Sequence, residues 1–397
     1  SKFSTTFSSL FIVLTIFLVA LGHNFYENHQ NKISDFIAIK VFLLSGAVAM
    51  VSFGNLAMFF LGIEVLSISL YVLAASDRLN LKSNEAGMKY FLMGSFASGI
   101  LLFGICLIYG AMGTFDVAEI AELSHSAELP SWFFVGVLLM CIGMLFKIAA
   151  VPFHFWAPDV YEGSPALTTA TMSTLAKVVA MATFYKLLVV LNPELSFHFN
   201  TTIAIISVAS MTVGNIMALQ QQNVKRMLAF SGISHAGFML MALLSLSSAA
   251  GSLFYYAAAY SFAGIGAFTV VLYVCKNREN EDYVNFHGLG KTNPALAAVM
   301  TISLLSMAGI PIFAGFFAKL GLFNITIASG FLAVVIAAVI NSIISVGYYF
   351  KLILAMYTKP ANETRTGTPV LLYTVAIYAA LLTIALGLFP QLLLGLL

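Results

Sequence analysis

Twelve stretches of about 20 mainly apolar residues follow one another along this 397-residue chain. A run of that length lets an α-helix cross a hydrocarbon core about 30 Å thick. The runs cover roughly 3–22, 38–53, 55–75, 86–110, 131–156, 165–191, 201–220, 226–246, 252–275, 294–321, 331–357 and 369–397. They are long and lack period-two alternation, which favours helices over barrel strands. Apolar residues make up 60% of the chain and charged residues 9%, against roughly a quarter charged in soluble domains. Too few charges exist to clothe a water-soluble globule. The expected fold class is therefore all-α, a polytopic membrane helix bundle of about twelve spans in one membrane domain, 1–397.

Orientation follows from where Lys and Arg fall between the spans. One side receives Lys32, Lys40, Arg78, Lys82, Lys225, Arg226, Lys276, Arg278, Lys291, Lys359 and Arg365; the other receives Lys2 alone. That bias places the first side in the cytoplasm and both ends of this chain outside it. The outer loop 111–130 holds Asp116, Glu119, Glu122 and Glu128 with no basic residue. The chain opens with Ser1 rather than Met, and its first run has no small-residue cleavage site, so a fragment is expected rather than a signal peptide. A net charge of +2 leaves no basic patch for nucleic acid. Cys106, Cys141 and Cys275 stand singly in apolar runs, which gives no basis for a disulfide framework, zinc or iron–sulfur site in this chain.

Two stretches resemble each other. Tyr90 with Ser95-Phe96-Ala97 recurs as Tyr256 with Ser261-Phe262-Ala263, and Ala149-Ala150-Val151-Pro152-Phe153 recurs as Ala308-Gly309-Ile310-Pro311-Ile312. The matched helices lie five spans apart, an odd number, so the halves are expected to be inverted: 1–37 leading, 38–191 and 201–357 as repeats, 369–397 last. Inverted repeats with broken helices point to a transport site near the bilayer midplane. Proline in a helix frees an upstream carbonyl that lipid cannot satisfy, so both breaks should face protein or a wetted cavity.

The charges left inside the spans narrow the chemistry. Glu64, Lys147, Lys177 and Lys319 lie at or near mid-depth. Each would cost on the order of 3 kcal/mol if ionised and unpaired. They are paired, hydrated or partly neutral. Inert ion pairs tying helices together are one reading. Three lysines against one carboxylate favour another: at least one lysine is expected to shed its proton part of the time and to serve in a proton path. Lys186, Lys351 and Lys40 lie nearer span ends and are expected to snorkel to the interface. Lys89 follows Glu85 by four residues, the spacing of an interfacial ion pair. His154 and His235 are each open to a relay or a structural role, and neither has the neighbours of a metal site.

The run Pro152-Phe153-His154-Phe155-Trp156-Ala157-Pro158-Asp159-Val160-Tyr161-Glu162-Gly163-Ser164-Pro165 resembles the signature of the antiporter-like membrane subunits of respiratory complex I, the proton-pumping NADH:quinone oxidoreductase. Its Pro-Asp-Val-Tyr-Glu-Gly-Ser-Pro part, together with lysine at 319, is similar to the N branch of that family. The resemblance spans essentially the whole chain. It implies fourteen helices with two inverted five-helix repeats, of which this chain would lack the first two helices. It also implies a glutamate–lysine pair at Glu64 and Lys147, a central relay at Lys177, a terminal lysine at Lys319 and a channel role for Lys89. Flavin, iron–sulfur clusters and quinone would belong to partner subunits. Expected neighbours are subunits K and M, with A and J also in the membrane arm, in a bacterial inner membrane. An Mrp-type cation/proton antiporter subunit is the alternative, as is a structural spacer with no proton path of its own.

Overall fold

Residues 1–25, 33–126, 129–191, 197–276, 278, 280–361, 367 and 369–397 are described by a computed structural model of the chain. Lys32, Glu128 and Arg365 lie outside the described residues. The described residues form helices and connecting turns, with two isolated backbone bridges and no extended strand.

In chain order the helices are α1 (Lys2–Phe25), α2 (Ile33–Ser52), α3 (Leu56–Ala74), α4 (Leu81–Met112), α5 (Val117–Ser126) and α6 (Ser131–Ile148). Then come α7 (Trp156–Gly163), α8 (Ala166–Thr171), a π-helical turn (Met172–Ala176) and α9 (Lys177–Leu191), the last three continuous. The second half holds α10 (Phe197–Leu219), α11 (Val224–Leu240) with a tighter last turn Met241–Leu244, α12 (Ala250–Val274), α13 (Leu289–Thr292), α14 (Pro294–Ala308), α15 (Ala314–Ala328) and α16 (Leu332–Thr358). The chain closes with α17 (Val370–Leu388) and α18 (Gln391–Leu394).

Eleven of these segments are long and apolar enough to cross a membrane among the described residues. The shorter apolar pair α14 and α15 takes the place of the tenth expected span, 294–321. The expected continuous span 294–321 is thus split at Gly309–Phe313, and the expected span 131–156 stops at Ile148. Residues 157–164, expected as a cytoplasmic connection, instead belong mostly to α7, which packs between α4 and α11. The acidic loop 111–130 also contains a helix, α5, whose first turn carries Glu119.

The halves repeat each other in detail. Asn55 caps α3 with its side chain and bridges Asp116; Asn223 caps α11 in the same way and bridges Asp282. The amides of Leu56 and Val117 donate to the carbonyls of Phe115 and Gly54, while those of Val224 and Tyr283 donate to Glu281 and Gln222. Close crossings recur too. A side chain on Gly46 of α2 would meet the backbone of Leu66 at 2.6 Å, and one on Gly214 of α10 would meet the backbone of Ser234 at 2.6 Å. The caps and the crossings share one offset of 168 residues, and α3 and α11 lie five crossings apart, so they run in opposite directions.

Both broken helices end alike. After α6, Ala149 turns into the left-handed region at φ 58° and the amide of Ala150 reaches back to the Leu145 carbonyl; after α14, Gly309 does so at φ 87° and Ile310 reaches Leu305. These bonds satisfy carbonyls that a helix end leaves free. What remains is met by protein, as the proline argument requires: Trp156 Nε1 donates to the Phe146 carbonyl at 3.0 Å, and the Val151 amide donates to Ser210 Oγ at 2.9 Å. In the second break the Gly315 amide donates to Ser306 Oγ at 3.1 Å.

Candidate functional site

Each broken helix presents a partly negative C-terminus, where a cation is favoured. Lys147 occupies the last turn of α6 itself. Its Nζ donates to Ser67 Oγ of α3, which in turn donates to the Ile63 carbonyl. Glu64, one residue along α3, is half-buried, and its Oε1 has no hydrogen-bonding partner among the described residues. Glu64 and Lys147 thus lie within each other's field, but the expected ion pair is not closed. Ser67 holds the ammonium in its place.

Lys319 reaches the equivalent helix end from the far side of the break. It is the sixth residue of α15, is 5% exposed, and donates to the Ala308 carbonyl of α14 at 2.9 Å. The Phe238 ring lies 4.7 Å from its Nζ. A cavity of about 10 Å³ beside it is lined by His235, Tyr256, Tyr260, Ser306 and Lys319 among others, room for about one water centre.

Between these two ends stands Lys177, 2% exposed, directly after the π-helical turn. Its Nζ is buried and has no hydrogen-bonding partner among the described residues. The Tyr161 ring lies 6.0 Å away. Three donors with no acceptor make it the least fixed of the buried lysines.

His235 joins the second-half groups. Its Nδ1 lies 2.6 Å from Tyr256 Oη and its Nε2 lies 3.2 Å from Tyr349 Oη, and Tyr349 Oη lies 2.5 Å from Ser231 Oγ. Its ring stands 4.7 Å from that of Tyr260, whose hydroxyl lies 3.1 Å from Ser173 Oγ on the π-helical turn before Lys177. On the first-half side, rings step from Lys147 toward Lys177. Tyr71 lies 6.0 Å from Lys147 Nζ and packs edge-on to Tyr90 at 4.8 Å. Tyr90 stacks on Trp156 at 4.6 Å, and Trp156 meets Tyr161 at 6.2 Å.

Two of the expected site residues stand apart. Lys89 is 42% exposed and pairs with Glu85 at 2.7 Å and Asp159 at 3.2 Å. Asp159 also receives Arg226 at 2.8 Å, and Arg226 reaches Glu162 at 2.9 Å. This clasp ties α4, α7 and α11 around a cavity of about 200 Å³. Partial burial pushes the Asp159 carboxyl up, but the hydrogen bonds and charges of Arg226 and Lys89 outweigh it and hold the group below the usual carboxylate range. His154, 7% exposed, rests on Phe155 at 4.3 Å, and its buried Nδ1 has no hydrogen-bonding partner among the described residues.

The lysines expected to snorkel divide. Lys351 is exposed and donates to the Gln221 carbonyl at 3.2 Å. Lys186 is half-buried and staples the end of α2, donating to the carbonyls of Val51 at 2.9 Å and Phe53 at 2.8 Å. Lys40 does not snorkel. It is 3% exposed and donates to the Leu18 carbonyl at 3.2 Å, with Thr171 Oγ1 at 3.5 Å. Helix α1 covers it, and span position alone does not reveal such a cover.

A family model described as NADH:quinone oxidoreductase/Mrp antiporter, transmembrane, matches residues 54–345. The chain belongs to this family. Subunit N of the NADH-quinone oxidoreductase of Flavobacterium johnsoniae is 76% identical over 404 residues, covering 100% of this chain and 87% of that protein. The protein of the same name from Cytophaga hutchinsonii is 45% identical over 397 residues, covering 99% and 86%. A chain in the structure of respiratory complex I from Thermus thermophilus is 29% identical with a TM-score of 0.85, covering 100% of this chain and 86% of its own length. A chain of the Mrp complex from Dietzia sp., 23% identical with a TM-score of 0.85, shows the same fold.

The stretch matched to the NADH:quinone oxidoreductase/Mrp antiporter family holds Glu64, Lys89, Lys147, His154, Lys177, His235 and Lys319, but not Lys40. It also holds residues that the sequence reading did not single out: Ser67, Tyr71, Tyr161, Gly232 and Tyr260, while Tyr349 lies just beyond it. Tyr90 and Tyr256 were matched as landmarks, yet each sits among the buried groups.

Proposed function

We propose that this chain is the proton-translocating, subunit-N-type membrane component of an NADH:quinone oxidoreductase. Redox chemistry in partner subunits, which carry the flavin, iron–sulfur clusters and quinone, drives it. Subunits K and M are its expected neighbours, with A and J in the same arm. Its setting is the bacterial inner membrane, with both ends of the chain outside the cytoplasm. The observation that carries the reading is Lys177: a buried amine with nothing to fix its proton, standing between two lysines that each sit on the C-terminus of a broken helix. Relatedness to proteins named as subunit N supports the same reading.

The mechanism follows from partner exchange. When Glu64 swings toward Lys147 and displaces Ser67, the ammonium is stabilised; when Glu64 withdraws, the lysine is left with a hydroxyl that is also engaged with the Ile63 carbonyl. Losing a carboxylate in a low-dielectric site releases the proton toward Lys177. From there it passes beside Tyr260 and His235 to Lys319 and the outer side. Moving one charge against 100 mV requires about 2.3 kcal/mol, within reach of making and breaking one buried pair. Lys89 and the Asp159 clasp form the cytoplasmic mouth of this route.

Replacing Lys177 by methionine in the assembled complex tests the proposal. Proton pumping coupled to NADH oxidation is expected to be lost. Pumping at the parent level would remove Lys177 from the route and favour the spacer alternative. A sodium-coupled antiporter is disfavoured because cation binding calls for carboxylates or unwound carbonyls at mid-depth: Glu64 is the one carboxylate there among the described residues, and Trp156 and Lys319 already donate to helix-end carbonyls at the two breaks.

A further inference from the structure

The offset of 168 residues that relates Asn55 to Asn223 and the crossing at Gly46 to that at Gly214 also relates the polar positions of α3 to those of α11. Ser67 corresponds to His235, and Glu64 corresponds to Gly232. The second half thus has no side chain at the place where the first half has its carboxylate.

That place is taken by a group from the other half. A methyl carbon on Gly232 would lie 2.9 Å from Lys177 Nζ, 3.7 Å from its Cε and 3.2 Å from Tyr260 Oη. These three nearest neighbours are side-chain ends. Gly214 differs in kind: a methyl there would strike the backbone of Ser234 and Phe230 at 2.6 and 2.8 Å. Gly214 serves helix packing, whereas Gly232 makes room for an amine.

We propose that Gly232 is a positioning residue for Lys177: by carrying no side chain where Glu64 stands in the first half, it seats the Lys177 amine of the first half against the helix that bears His235, beside Tyr260. The seat makes Lys177 the group shared by both halves. It also keeps a carboxylate away, so no fixed anion holds the proton at the crossing point. The titratable groups around it are Tyr161 of α7, Tyr260 of α12 and His235 of α11, with Lys319 of α15 beyond His235.

The inference rests on the relay reading of Lys177, and the test separates the two. Gly232→Ala and Lys177→Met are compared with the parent in the whole complex in native membrane vesicles, measuring assembled complex, NADH-driven acidification and its pH profile. For Gly232→Ala the expected result is parent-level assembly, acidification lowered about tenfold or more by misplacement of the amine, and a displaced pH profile. Parent-level acidification with the parent pH profile would overturn the inference. So would failure to assemble, since Gly232 would then be a packing contact like Gly214. If Lys177→Met itself pumps normally, the relay reading fails; if it does not pump while Gly232→Ala behaves as the parent, only the seat fails.

Discussion

The first-half chamber around Lys147 and the second-half chamber around Lys319 share a scaffold but differ in what holds the proton. Both lysines sit at the C-terminus of a broken helix, with a left-handed residue, Ala149 or Gly309, just beyond it. In the first half the amine comes from the helix that ends there, and Glu64 and Ser67 compete for it. In the second half it comes from across the break, has no carboxylate partner among the described residues, and lies beside a histidine whose two ring nitrogens are both engaged by tyrosines. The difference teaches that one fold can surround a buried lysine in two ways. On the proposed relay, a charge elsewhere drives the first site through Glu64, and the second follows the protonation of its neighbours.

The largest effect is expected where the second chamber has no substitute. Lys319→Met should lower NADH-driven acidification on the order of a hundredfold while leaving the assembled complex intact, as read by vesicle acidification against complex content. Parent-level pumping would mean that the chambers do not act in series. Glu64→Gln removes the drivable charge but leaves Lys147 on Ser67, and a smaller loss of about tenfold is expected. A loss as large as that of Lys319→Met would show that the first chamber has no fallback and would weaken the contrast drawn here.

The smallest effect lies at the cytoplasmic clasp. Asp159→Asn loosens contacts to Lys89 and Arg226 that are partly exposed and screened, so acidification should fall by less than about twofold. The clasp also carries a pH signature. Because the folded carboxyl of Asp159 is held below its ordinary range, its contribution to stability is present above that range and is lost as pH falls through the depressed value. Thermal unfolding of the parent should therefore weaken faster than that of Asp159→Asn under strongly acid conditions. Parallel curves would show that the clasp adds nothing.

Much of this was legible before any coordinates. Hydropathy marked the crossings because lipid forces backbone polar groups into helices, and the paired prolines marked both breaks. Glu64, Lys147, Lys177 and Lys319 stood out because charges in hydrocarbon are costly. The rest was hidden for identifiable reasons. Lys40 looks like an end-of-span residue until α1 is laid over it. Gly232 matters through a side chain it lacks, and only the repeat offset reveals what is missing. Ser67 and the tyrosines are unremarkable in composition and gain meaning from what packs against them. Helix α7 was read as a connection because its short polar run lies between two apolar stretches and carries no helical span of its own.

The direct test of the account is the protonation of Lys177 itself, followed by ¹⁵N-lysine magnetic resonance in the membrane-embedded complex at rest and during NADH oxidation, with Lys177→Met giving the assignment. The account requires the Lys177 signal to exchange between ammonium and amine when NADH is supplied. A signal fixed in one form at every pH and redox state would contradict it.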